Sequence, residues 1–205
     1  MLHEALWEAN LDVARASLEH PFVAGLGDGT LPAGRFRAFI AQDAFFLRAF
    51  LKAYALALAR SDDVEDSAVF SSLIAGVLEE LKLHRAYAAE LGIDLENVTP
   101  NPECRAYTDF LLRSAWHASL AETVAAMTPC MRLYAYLGRE LLPRCRPGHP
   151  YRAWIETYSG EEFAGLAEQM EALLDRCAAD GPEVRDAYRY ALQCELDFFS
   201  GALRE

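Results

Sequence analysis

From Leu2 to Leu203 the apolar residues recur about every 3.6 positions, and no stretch alternates β-branched with polar residues over the length of a strand. Such a chain has no faces to pair into sheets, so the spacing predicts an all-α bundle of seven to eight helices. With 53% hydrophobic, 24% charged and 11% aromatic residues, it carries enough apolar surface to close a core without disulfides or metal. Its 205 residues fit one domain spanning 1–205, with neither repeats nor low-complexity tracts.

Breakers set the expected boundaries. Leu2, Leu6, Val13 and Leu18 share a face that His20-Pro21 closes, so residues 2–18 read as one helix. Gly25, Gly27 and Gly29 with Asp28 read as a loop, and Thr30 before Leu31-Pro32 reads as the N-cap of a long helix running to about Arg60. Ser61-Asp62-Asp63 restarts the chain into a helix with Phe70, Leu73, Ile74, Val77, Leu78 and Leu81 on its apolar face and Gly92 just past its end. Beyond Thr99-Pro100-Asn101-Pro102, residues 104–117 form a helix whose inner side carries Tyr107, Phe110, Leu111 and Trp116. Ser119 and Glu122 make a capping box for a helix over 120–142, and Pro129 inside it predicts a kink before Cys130. Helices over 151–158, 161–177 and 182–203 complete the chain.

Nineteen Lys+Arg against thirty-one Asp+Glu leave a net charge of −12, which opposes phosphate backbones and anionic lipid surfaces. No nucleic-acid or membrane partner is therefore expected. The five cysteines (Cys104, Cys130, Cys145, Cys177 and Cys194) are odd in number and never within three residues of one another, which argues against a disulfide framework and fits a reducing compartment. Acidic Glu4 and recurring polar positions do not make a signal peptide, and no apolar stretch approaches the roughly 20 residues of a membrane span. A cytoplasmic location is the expectation.

Polar groups on inward faces mark where chemistry could sit. Cys130 and Tyr134, four residues apart, present a thiol and a phenol to one space. Glu195 lies in the run Leu192-Gln193-Cys194-Glu195-Leu196-Asp197-Phe198-Phe199, and Asp43 lies midway along a mostly apolar helix. Each has a bland reading beside the sharp one: Glu195 as a helix carboxylate paired to Arg189, Asp43 satisfying nearby backbone, and the tyrosines as core aromatics. Cys104, Cys145, Cys177 and Cys194 read as packing. Glu80 and His84 share a helix face with metal-ligand spacing, but no second carboxylate–histidine pair supplies the rest of a site. No metal is expected, and His84 reads as structural, hydrogen-bonded near a helix end.

Taken in order, His20-Pro21-Phe22-Val23, Gly27-Asp28-Gly29-Thr30-Leu31-Pro32, Phe39-Ile40-Ala41-Gln42-Asp43, Leu83-His84, Ala106-Tyr107-Thr108, Pro129-Cys130 with Tyr134, Trp154-Ile155-Glu156-Thr157-Tyr158, and Glu195 with Phe198-Phe199 resemble the TenA family, also called thiaminase II or aminopyrimidine aminohydrolase. The resemblance covers nearly the whole chain. It implies a heme-oxygenase-like helical bundle without heme or other cofactor, and a homotetramer. It also implies hydrolysis of 4-amino-5-aminomethyl-2-methylpyrimidine to the hydroxymethyl pyrimidine of thiamin metabolism, with thiamin cleavage in some members. By the same resemblance Cys130 is the nucleophile, Glu195 the acid/base, and Asp43 the group on the ring-nitrogen and amine edge, while Tyr107, Tyr134 and Tyr158 line the pyrimidine pocket. Phe46 stands where a tyrosine is common; it can stack on a pyrimidine but offers no hydroxyl.

The residue types suit that chemistry. A thiolate adding to the ring breaks its aromaticity so that the ring nitrogens can expel an amine, and a carboxylic acid supplies protons. Two other classes stay open: a regulator of the same fold, which the net charge of −12 argues against for direct DNA contact, and a non-catalytic pyrimidine-binding protein. A DNA gel shift and an ammonia-release assay separate the three.

Overall fold

The computed structural model describes residues 1–204, and among them every regular element is helical. Ten α-helices follow in chain order: α1 (Leu2–Ala9), α2 (Leu11–Glu19), α3 (Pro21–Asp28), α4 (Ala33–Ala59), α5 (Val64–Leu91), α6 (Pro102–His117), α7 (Leu120–Leu141), α8 (Arg152–Ser159), α9 (Glu161–Cys177) and α10 (Pro182–Arg204). A 3₁₀ turn, Leu142–Arg144, leaves α7. The all-α bundle is as expected; the count exceeds seven to eight because the first 28 residues make three helices.

Asn10 causes the first split. It leaves helical geometry at φ −120°, its Nδ2 donates back to the Leu6 carbonyl at 2.8 Å, and Arg189 Nη1 donates to its Oδ1 at 3.0 Å. A side chain that satisfies the freed carbonyl makes the break tolerable, whereas the hydrophobic period runs across it unaltered. The glycine segment read as a loop is instead α3, started by His20, whose Nδ1 accepts the Phe22 N–H at 3.2 Å, with Pro21 in the first turn. Its glycines serve packing: a Cβ on Gly27 would meet the Leu141 side chain at 2.5 Å. Gly29 then ends α3 at φ +74°, a conformation glycine adopts without strain.

The remaining boundaries follow their caps. Pro32, rather than Thr30, occupies the N-cap position of α4, with no side-chain capping hydrogen bond. Asp63 accepts from the Glu65 and Asp66 N–H groups to start α5, and Gly92 ends it at φ +66°. Ser119 and Glu122 form the expected box at the head of α7, which stays helical through Pro129. Two facing expectations fail: Trp116 is 64% exposed and Leu78 45% exposed. The buried stripe of α5 runs instead through Phe70, Leu73 and Val77 to His84 and Ala88.

α7 lies at the centre, against α10, α9 and α8, while α4 packs along α5 and α6. One continuous core of aromatic and aliphatic side chains fills the space between these layers. Among the described residues no helix is long and apolar enough to cross a membrane.

Candidate active site

Six helices, α4, α5, α6, α7, α8 and α10, bring polar side chains together in one buried cluster, hereafter the chamber. From α10, Glu195 is 2% exposed, and its Oε1 accepts the Tyr107 hydroxyl of α6 at 2.8 Å. The Cys130 thiol of α7 hydrogen-bonds to the same carboxyl. Burial is the main force on both groups. It pushes Glu195 up to about 8, against the hydrogen bonds from Tyr107 and Cys130, and pushes the thiol well above its ordinary range with the nearby carboxylates adding to it. Glu195 is thus poised to hold or release a proton near neutral pH.

Across the chamber, Asp43 of α4 is 4% exposed, and its Oδ2 lies 2.7 Å from Nε2 of His84 on α5. The other ring nitrogen, Nδ1, faces the Glu80 backbone carbonyl at 2.9 Å and must donate, because a carbonyl only accepts. Burial alone would lower His84, but the hydrogen bond to Asp43 and its charge, with Glu80 behind, raise it to about 9. At neutral pH both ring nitrogens carry hydrogens and Nε2 donates to the Asp43 carboxylate. One Asp43 oxygen is thereby engaged by His84, and the other is left to meet a ligand.

Aromatic rings make the walls. Phe46 lies 4.7 Å from Tyr107 and 6.0 Å from Phe198, while Tyr134 lies 4.9 Å from Tyr158 and 6.1 Å from Phe199. Beside the chamber, a cavity of about 350 Å³ between α5, α8 and α9 opens outward, lined by Tyr54, Glu80, Met131 and Phe163 among others. A larger opening of about 650 Å³ between α6 and α10 holds none of the chamber's polar groups.

Residues 7–205 match the TENA/THI-4/PQQC family. The chain belongs to that family. It is 38% identical over 172 residues to the aminopyrimidine aminohydrolase of Bacillus subtilis, covering 82% of this chain and 72% of that one. It is 36% identical over 210 residues to the bifunctional TH2 protein, mitochondrial, of Arabidopsis thaliana, covering 89% of this chain. The chain spans 34% of the Arabidopsis protein, about a third of its length. Among solved structures, a TenA family transcription regulator from Silicibacter superposes with a TM-score of 0.93 at 26% identity, covering 98% of this chain and 96% of that one.

In this TENA/THI-4/PQQC member every residue singled out from sequence, Asp43, Phe46, Tyr107, Cys130, Tyr134, Tyr158 and Glu195, is buried in or around the one chamber. Arg189 is not the partner of Glu195; it pairs with Asp12 at 2.9 Å on the surface. His84, read as structural and hydrogen-bonded, is hydrogen-bonded to the Glu80 carbonyl and is also the buried partner of Asp43, and Glu80 accepts the Tyr158 hydroxyl at 2.5 Å. Among the described residues no three His, Cys, Asp or Glu side chains converge as a metal site. A signal for both residues was in the sequence: Glu80 and His84 continue the 70, 73, 77 spacing of the α5 stripe, where a polar side chain must have a buried partner. Placing Leu78 and Leu81 on that stripe obscured it.

Proposed function

We propose that this chain is an aminopyrimidine aminohydrolase, replacing the amine of the aminomethyl group of 4-amino-5-aminomethyl-2-methylpyrimidine by hydroxyl with release of ammonia. The observation that carries the reading is the Cys130 thiol against the Glu195 carboxyl, facing an Asp43–His84 pair across an aromatic chamber. The Bacillus relative of that name supports it.

The chain's residues supply each step. As Sγ of Cys130 bonds to a ring carbon, its proton passes to the Glu195 carboxylate, and the displaced electron pair moves onto the ring nitrogen held at Asp43. The pair then returns and breaks the exocyclic C–N bond, so the nitrogen of the protonated amine departs as ammonia. Water bonds to the same exocyclic carbon, the electron pair moves back onto the ring nitrogen, and the proton that water loses is taken by the released ammonia as ammonium. Finally the S–C bond breaks, and Glu195 gives its proton back to sulfur. The sum is amine plus water to alcohol plus ammonia, with Cys130 and Glu195 restored. Tyr107, with its hydroxyl on Glu195, orients that carboxyl, while Phe46, Tyr134 and Tyr158 stack on and exclude water from the ring.

Asp43, Cys130 and Glu195 are therefore assigned the chemistry, with the four aromatics as the binding walls. A homotetramer in a cytoplasmic setting completes the proposal. The apolar side chains of residues 2–18 and 161–177 are mostly buried or half-buried within the chain, and Trp116 and Tyr190 are among the large apolar side chains left exposed for assembly. Steady-state assay of the aminomethyl pyrimidine beside thiamin, read by ammonia and by hydroxymethyl pyrimidine, tests the reading. Binding without turnover would leave the protein a pyrimidine-binding protein.

A further inference from the structure

Glu80 is unlike the other ionisable groups of the chamber in two respects. It alone among Asp43, Glu80, His84, Cys130 and Glu195 also lines the outward-opening cavity of about 350 Å³. Its carboxylate also makes no hydrogen bond to a cation: Oε1 accepts from the neutral Tyr158 hydroxyl, and the nitrogens of His84, whose charge does act on Glu80, hydrogen-bond to Asp43 and to Glu80's own backbone carbonyl. Its charge still reaches inward, acting on Cys130, Tyr134 and Tyr158. No Lys or Arg lines that cavity, whereas Glu161 and Glu162 do. A carboxylate that lines an acidic cavity, shares its one neighbouring cation with Asp43 and has no hydrogen-bonded cation of its own is placed to receive one.

We propose that Glu80 is the specificity-determining residue that receives the substrate's aminomethyl nitrogen as an ammonium ion, so that the site selects cationic aminomethyl pyrimidines over neutral ones of the same shape. The inference rests on the aminohydrolase reading. A primary alkyl amine is protonated at neutral pH, as lysine is, and nitrogen must be protonated before the C–N bond breaks if it is to leave as ammonia. Burial and the charge of Asp43 raise Glu80 to about 7 against the charge of His84 and the Tyr158 hydrogen bond, so an incoming cation favours its ionised form. The neutral hydroxymethyl product has no charge to offer there and is released more readily than substrate is bound.

Calorimetry in a Cys130→Ser background, where turnover does not consume the ligand, tests this directly. The aminomethyl pyrimidine is expected to bind at least about tenfold more tightly than the hydroxymethyl pyrimidine, the scale of one charge-assisted contact. Adding Glu80→Gln, which keeps an acceptor oxygen for Tyr158, should abolish that preference and leave hydroxymethyl affinity within about twofold. Glu80→Asp, which keeps the charge, should retain it. Equal affinities in Cys130→Ser alone, a preference that survives Glu80→Gln, or equal loss for both ligands would overturn the role of Glu80. Failure of the wild-type protein to release ammonia from the amine would instead overturn the aminohydrolase reading beneath it.

Discussion

At the scale of residues, function follows from which partners each buried polar group has been given. Asp43 has one oxygen engaged by His84 and one to spare, so Asp43→Asn should weaken hydroxymethyl pyrimidine binding by at least about tenfold in calorimetry, because an amide cannot stabilise a protonated ring. Unchanged affinity would remove Asp43 from the site. His84→Gln keeps a donor toward Asp43 but removes the positive charge, so kcat should fall more than KM rises, and the alkaline limb of the rate profile should move. Equal changes in both constants would mark His84 as scaffold only. Cys194 makes an informative contrast with Cys130. It too is buried, yet it lines a groove with Tyr190 and Arg204 on the outer side of α10, and Cys194→Ser should leave turnover intact.

At the scale of elements, the chamber depends on how closely helices approach. A Cβ on Gly138 would come within 2.5 Å of the Tyr158 carbonyl carbon and the Ser159 nitrogen, so α7 and α8 touch backbone to backbone just where α8 delivers Tyr158. Gly138→Ala should cost about 1–3 kcal/mol by overpacking and raise KM by displacing Tyr158. A variant with unchanged melting and unchanged KM would show that this approach does not set the position of Tyr158. The same elements show what the sequence could reveal. Caps written in local chemistry, Asp63, Ser119 with Glu122, and Gly92, stood where expected because a cap needs only its neighbours. The break at Asn10 and the helical Gly27 did not, because Asn10 is held by Arg189 of α10 and Gly27 packs on Leu141 at the end of α7. For the site, the carboxylates and thiol were legible as polar groups on apolar faces. The partnership of His84 with Asp43 was not, since it joins residues 41 apart on two helices.

At the scale of the whole molecule, buried acids and bases set the response to pH. Glu80, Glu195 and His84 have folded-state pKa values of about 7, 8 and 9, all above the ordinary values of 4.5 for the carboxyls and 6.5 for histidine. The folded chain therefore holds more protons than the unfolded one across that window. Stability from these groups is complete below the unfolded values and is lost as pH rises through the folded ones. The melting temperature should fall between about pH 5.5 and about pH 8.5 by roughly 5 °C or more, and Glu195→Gln should flatten the slope; a melting temperature that rises over this range would contradict it. Light scattering at micromolar concentration should give about four times the 22.8 kDa chain mass, and a value near 22.8 kDa would exclude the tetramer. The most direct measurement is turnover of the aminomethyl pyrimidine by the wild-type protein and by Cys130→Ser, following ammonia and hydroxymethyl pyrimidine together. The wild type should release the two in equal amounts, and the variant should lose at least about a hundredfold in rate while still binding the product. A Cys130→Ser variant that turns over like the wild type would contradict thiol chemistry in this chamber.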